Sequence, residues 1–177
     1  HLFPWDMKLF LEWTIQMCDP AHLYAHMDLY GKLGVPLNVS EITIPAMKEF
    51  GDGSAFQEFL IEKLYRIWFS HPAVNSITYW NIVDQTAAGS IVDGGENRFR
   101  GGLLNYDMSE RPAFKVLRRL IKEEWTSAGT LEFDRDHLNK LYGFYGDYDL
   151  EIRTDKGIFN KTVRLSAHAG KEIRIIL

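Results

Sequence analysis

Glu41 sits in the run Val39-Ser40-Glu41-Ile42-Thr43-Ile44, a β-branched, apolar strand signature interrupted by one carboxylate. Desolvating a carboxylate in such a strand is costly unless the group is paired or put to use. Further on, Ser76-Ile77-Thr78-Tyr79-Trp80-Asn81-Ile82 reads as a second strand that carries an indole, with Asp84 just beyond it. A carboxylate aimed into a polar cleft can attack the anomeric carbon of a sugar, and an indole can stack on the apolar face of the ring and offer its N–H to a hydroxyl. Retaining hydrolysis needs a second carboxyl group about 5–5.5 Å away to protonate the leaving oxygen. Each position also has a structural reading: Glu41 as half of an ion pair at a barrel rim, Trp80 as core filler. Arg98 and Arg100, in the Gly-rich loop that follows, are candidates for hydrogen bonds to sugar hydroxyls or for simple solvation.

Holding these groups together requires alternating helices and strands, and the sequence carries that alternation. After an aromatic entry, Phe3-Pro4-Trp5, residues 7–16 have apolar side chains at helical spacing. Asp19-Pro20 marks a helix start, with Asp as N-cap and Pro at the first position, and Gly34 is the expected C-cap. A strand is expected over Leu37–Ile44. Ser54 is the expected cap of a long helix whose Phe56, Phe59, Leu60, Leu64, Ile67 and Trp68 share one face. His71-Pro72 ends it, and the second strand covers about 76–83. Strand, helix, strand with so long a connection predicts a right-handed parallel crossover. The Gly-rich loop over 88–102 leads to Leu103-Leu104-Asn105, and Ser109 is the expected cap of a last helix through Phe114, Leu117, Leu120 and Ile121.

At Ser127-Ala128-Gly129 the period of the apolar residues drops to two. Leu131 and Phe133, then Tyr148, Leu150 and Ile152, then Val163 and Leu165, then Ile173, Ile175 and Leu177 alternate with polar neighbours. Turns are expected at Gly146-Asp147, Asp155-Lys156-Gly157 and Ala169-Gly170. The expected organisation is an α/β domain over 1–127 and a small antiparallel β module over 128–177. Within the module, Tyr145 and Tyr148 lie in an aromatic-rich turn suited to packing, or to contact with sugar.

Composition narrows the partners. The chain has 177 residues, is 46% hydrophobic and 25% charged, and carries a formal charge of -4 with Lys and Arg scattered along it. That argues against nucleic acid and leaves no polybasic patch for a membrane surface. No apolar run approaches the roughly 20 residues of a membrane span. Cys18 is alone and is expected to be a small buried hydrophobe. His22 and His26 stand four apart without the intervening Glu of a zinc protease, so they read as ordinary helix surface. Asn38-Val39-Ser40 and Asn160-Lys161-Thr162 match the glycosylation pattern, the first inside a strand.

The order Gly-Val-Pro-Leu-Asn-Val-Ser-Glu-Ile-Thr-Ile, long helix, Ile-Thr-Tyr-Trp-Asn-Ile-Val-Asp, Gly-Leu-Leu-Asn-Tyr-Asp and Arg-Pro-Ala-Phe resembles the C-terminal part of family 10 glycoside hydrolases. Those are β-1,4-xylanases built on a (β/α)8 barrel. The resemblance covers roughly residues 1–125 and implies a partial TIM barrel, about strands six to eight. It implies Glu41 as the strand-seven nucleophile, His1 as the residue that orients it, and Trp80 and Asp84 as part of the sugar platform. Arg100 joins the substrate-binding candidates. Three departures stand out: Thr43 replaces an Asp, Ala88 falls where a second loop Trp is expected, and the Asn-Glu of the general acid/base has no counterpart. The implied substrate is xylan or a related β-linked polysaccharide, met outside the cell or at its surface. No metal or organic cofactor is implied, since two carboxylates and water suffice. A non-catalytic carbohydrate-binding or scaffolding role, and a barrel glycosidase for another glycan, are the rival readings.

Overall fold

The structure is a computed structural model that describes residues 12, 16–48, 51–87, 94–133 and 142–166. The chain divides into two compact units, His1–Leu120 and Ile121–Leu177. Of the helix expected over 7–16, only Glu12 and Gln16 are described, Gln16 opening a 3-10 turn, Gln16–Cys18.

In the first unit, helix α1 (Pro20–Gly31) begins as its sequence requires, with an Asp19 side-chain oxygen accepting from the Ala21 N–H at 3.0 Å and Pro20 in the first turn. It ends earlier than expected. Gly34 lies beyond the helix at φ 71° and donates to the Gly31 carbonyl at 3.0 Å, so it closes the exit turn rather than capping directly.

Strand β1 (Leu37–Ile42), helix α2 (Gly53–Ser70) and strand β2 (Val74–Tyr79) form a strand–helix–strand unit in which β1 and β2 pair in parallel. Helix α2 turns Gln57, Leu60, Ile61, Leu64, Tyr65 and Trp68 inward. Asp52, not Ser54, is its N-cap: Asp52 Oδ1 accepts from the Ser54 and Ala55 N–H groups at 3.1 and 3.2 Å. Close packing selects that start, because a Cβ on Gly53 would lie 2.4 Å from the Ala46 carbonyl oxygen.

Beyond β2 the ladder continues as isolated bridges, Val83 with Leu104 in parallel and Leu104 with Glu110 antiparallel. Helix α3 (Pro112–Arg119) follows and passes into a π-helical turn, Leu120–Glu124. Its N-cap is Arg111 rather than Ser109. Pro112 fixes the helix start, and the Ser109 hydroxyl instead donates to Asp107 at 2.6 Å within the preceding turn.

The second unit contains an antiparallel hairpin, β3 (Gly146–Thr154) and β4 (Gly157–Leu165), closed at Asp155-Lys156. Gly146-Asp147, expected as a turn, opens β3, because Asp147 pairs with Arg164 across the ladder and forms a two-pronged ion pair with it at 2.7 and 2.9 Å. Leu131 and Phe133, expected to alternate in a strand, are exposed and lie in irregular backbone. The runs expected around residues 173–177 lie outside the described residues.

Candidate functional site

The site is built on an irregularity in β1. Val39 is opposite Ile77 and Ile42 is opposite Tyr79, so three residue steps on β1 match two on β2. Ser40 and Glu41 together face Thr78, which is a β-bulge. The burial pattern follows: Val39, Ile77 and Tyr79 are half-buried and Ile42 is buried, while Ser40, Glu41 and Thr78 are exposed. Trp80 continues the ladder by donating its N–H to the Ile42 carbonyl at 2.8 Å. It follows Tyr79 by one step and is 43% exposed, so it shares the open face with Glu41. Both sit at the carboxyl end of a parallel pair, where ligand-handling groups collect in α/β folds.

Directly beyond the bulge the chain turns inward. Thr43 is buried, and its hydroxyl donates to the Trp80 carbonyl at 3.2 Å, tying the two strand ends together. Ile44 is fully buried, and its N–H donates to the Tyr79 hydroxyl at 3.2 Å. That hydroxyl donates in turn to the Gly101 carbonyl at 2.7 Å. Burial pushes the Tyr79 phenol up to about 12, more than the nearby hydrogen bonds pull it down. Beneath it, the Gln57 amide from α2 reaches the carbonyls of Ile44, Gly101 and Gly102 at 2.8, 3.1 and 3.3 Å. Gln57 thus joins both strand ends to the glycine pair through one buried side chain.

The loops above this frame hold Asn81, Gln85 and Arg100 at φ 61°, 64° and 52°. Left-handed backbone outside glycine is costly and tends to gather where geometry matters. A shallow recess lies among them, lined by Thr43, Asn81, Val83, Asp84, Gln85, Glu96, Asn97, Gly101 and Gly102, with room for about one water molecule. A ligand larger than a water molecule would therefore rest over the recess rather than enter it.

Asp84 is 3% exposed; its Oδ2 accepts from Arg100 Nε at 2.7 Å and lies 3.8 Å from Arg111 Nη1. Arg111 also donates to the carbonyls of Arg100 and Gly102 at 2.7 and 2.9 Å. Burial weakens Arg111's hold on its proton, and the Asp84 carboxylate offsets part of that effect. The Arg100 side chain is 42% exposed above this pair. Arg98 lies over the Phe99 ring at 5.5 Å.

One expectation is corrected outright. The indole N–H of Trp80 is not held for a hydroxyl but donates to Glu96 Oε2 at 3.2 Å, and Asn81 Nδ2 donates to the same oxygen at 3.2 Å. His1 and Ala88 lie outside the described residues. Glu41, Trp80, Asp84 and Arg100 are gathered around the carboxyl ends of β1 and β2. Sequence reasoning missed Glu96, Asn81 and Gln57, whose contacts join segments distant in sequence and leave no local pattern.

Among the described residues, no group of three or more His, Cys, Asp and Glu is arranged to hold a metal ion, and no helix is long and apolar enough to cross a membrane. The rings of His22 and His26 lie 4.3 Å apart on exposed helix surface. Cys18 is half-buried rather than buried as expected, and what burial it has pushes its thiol up.

No family model and no curated protein matches the chain. Among solved structures it is similar to xylanase 10B from Thermotoga petrophila RKU-1 in complex with xylobiose, at 16% identity and a TM-score of 0.46 over 60% of this chain and 32% of that one. It is also similar to native xylanase 10B from Thermotoga maritima, at 18% identity and a TM-score of 0.45 over 60% of this chain and 33% of that one. The chain spans about a third of the length of either xylanase, and the likeness is a weak one of fold.

Proposed function

We propose that the chain carries the nucleophile side of a retaining glycoside hydrolase site for β-1,4-linked xylan or a related plant polysaccharide. The observation that supports this most is the shared open face of Glu41 and Trp80 at the carboxyl ends of two parallel strands. In this reading Glu41 attacks the anomeric carbon and forms a covalent glycosyl-enzyme, which water then hydrolyses. Trp80 supports the apolar face of the sugar ring. Arg100, oriented by Asp84, donates to ring hydroxyls, and His1 orients Glu41. In this reading a second carboxyl group protonates the leaving oxygen. A polymeric substrate puts the site of action outside the cell or at its surface.

Changing Glu41→Gln in a protein with the complete barrel tests the assignment. Loss of turnover with oligosaccharide binding intact supports it; unchanged turnover removes it.

A second reading, carbohydrate binding without catalysis, draws support from the Trp80 ring, which is exposed and hydrogen-bonded at its edge without any need for a nucleophile. There, Glu41→Gln leaves sugar binding unchanged while Trp80→Ala removes it.

A further inference from the structure

We propose that Glu96 is the positioning residue of the sugar platform, and that by taking the indole N–H it makes Trp80 a reader of ring shape rather than of hydroxyls. This rests on the reading of Trp80 as a sugar-stacking surface. One oxygen of Glu96 accepts from both Trp80 Nε1 and Asn81 Nδ2, each at 3.2 Å. An indole has a single N–H, so the hydrogen bond to Glu96 occupies its only donor. What the ring still presents is its face, 43% of the residue being exposed.

The carboxylate is itself firmly held. Glu96 is half-buried in the 3-10 helix Gly95–Phe99. The Phe99 side chain is fully buried, and its carbonyl accepts from the Ala46 N–H at 2.9 Å. Asn97 Oδ1 accepts from the Ala87 N–H at 3.0 Å. The short helix is thus tied to the loops leaving both β1 and β2. The second bond holds the side chain of Asn81, which directly follows Trp80 and sits in the left-handed region at φ 61°. A ring fixed at its edge, beside a residue whose side chain is also held, is pre-organised, and pre-organisation lowers the entropy lost when a ligand binds.

The ligand class follows from the geometry. A face-only indole with no donor to spare suits a pyranose whose hydroxyls are equatorial and whose C–H groups present a flat apolar face, as in β-1,4-linked xylose or glucose units. Xylo- and cello-oligosaccharides should therefore bind at this ring with similar affinity.

The test uses the full chain labelled with 15N, in which Trp80 is one of five tryptophans and Trp80→Phe assigns its indole cross-peak. Glu96→Ala should move the Trp80 indole cross-peak more than the other four and weaken xylotetraose and cellotetraose binding by about threefold to tenfold. Glu96→Gln, which keeps a carbonyl acceptor, should restore most of both. A Trp80 cross-peak that stays put in Glu96→Ala overturns the positioning role whatever the chain binds. Failure of the unmutated chain to bind either sugar, with the cross-peak moving as expected, overturns the sugar-platform reading instead. Strong preference for one sugar that Trp80→Phe removes overturns the face-only recognition.

Discussion

Arg100 Nε donates to Oδ2 of Asp84 at 2.7 Å, and the carboxylate that receives it is only 3% exposed. Arg111, 7% exposed at its side chain, lies on the same oxygen at 3.8 Å. Asp84 therefore balances two guanidinium groups beneath the recess, one of them buried. Replacing it by Asn leaves Arg111 buried without a full counter-charge, which costs about 3 kcal/mol once the solvent screening of Arg100 is allowed for. Urea unfolding of Asp84→Asn should show a loss of that order, whereas a loss below about 1 kcal/mol would mean that Arg111 is satisfied by its backbone carbonyls alone.

Tyr79 makes stability depend on alkaline pH. Its phenol is held neutral by burial, with its affinity for the proton raised from 10.0 to about 12. A group with a raised folded-state pKa binds more protons folded than unfolded, so its contribution is fully present below about pH 10 and is lost as pH rises towards 12. The loss amounts to roughly 3 kcal/mol. Urea midpoints measured across that window should fall steeply, and Tyr79→Phe should flatten the fall. Tyr65, also raised by burial, contributes in the same direction, so some slope remains in the variant.

The start of α2 separates two kinds of stabilisation. Asp52→Ala removes the acceptor for the Ser54 and Ala55 N–H groups and should cost about 1 kcal/mol. Gly53→Ala drives a methyl group to within 2.4 Å of the Ala46 carbonyl oxygen and 2.6 Å of that of Met47, against backbone that cannot rotate away. It should cost about 3 kcal/mol. Equal losses in thermal unfolding would show that the loop yields easily. Ser54→Ala should be nearly silent.

This helix start also shows why some of the fold was readable in the sequence and some was not. Asp19-Pro20 is a purely local signal, and α1 begins where it says. Asp52 and Ser54 are both good caps, and the choice between them is made by Gly53 pressing on Ala46, a contact between segments. Likewise the β-branched run around Glu41 marked a strand, but a bulge is a relation between two strands and has no signature in one. Trp80 and Asp84 were recognisable as residue types at a strand end. Their partners were not, because Glu96 reaches Trp80 only after the loop between them folds back, and Arg111 reaches Asp84 only when α3 docks.

The bulge yields the most direct test of how Glu41 is presented. With Ser40 deleted, Val39, Glu41 and Ile42 meet Ile77, Thr78 and Tyr79 one for one, so the ladder becomes regular from Asn38 onward without moving Ile42 from its buried place. No side chain changes face, in contrast to the slip of a whole strand, which would expose every inward residue. Stability should therefore change by no more than about 1 kcal/mol. The Trp80 N–H, bonded to the Ile42 carbonyl at 2.8 Å, should keep its protection from hydrogen exchange. What changes is the aim of the carboxylate, because a bulge bends the strand and increases its twist at that point. In a protein with the complete barrel, deletion of Ser40 should thus leave sugar binding at Trp80 and lose turnover. Loss of protection at Trp80 would instead mean that the extra residue is needed to hold the two strands in register.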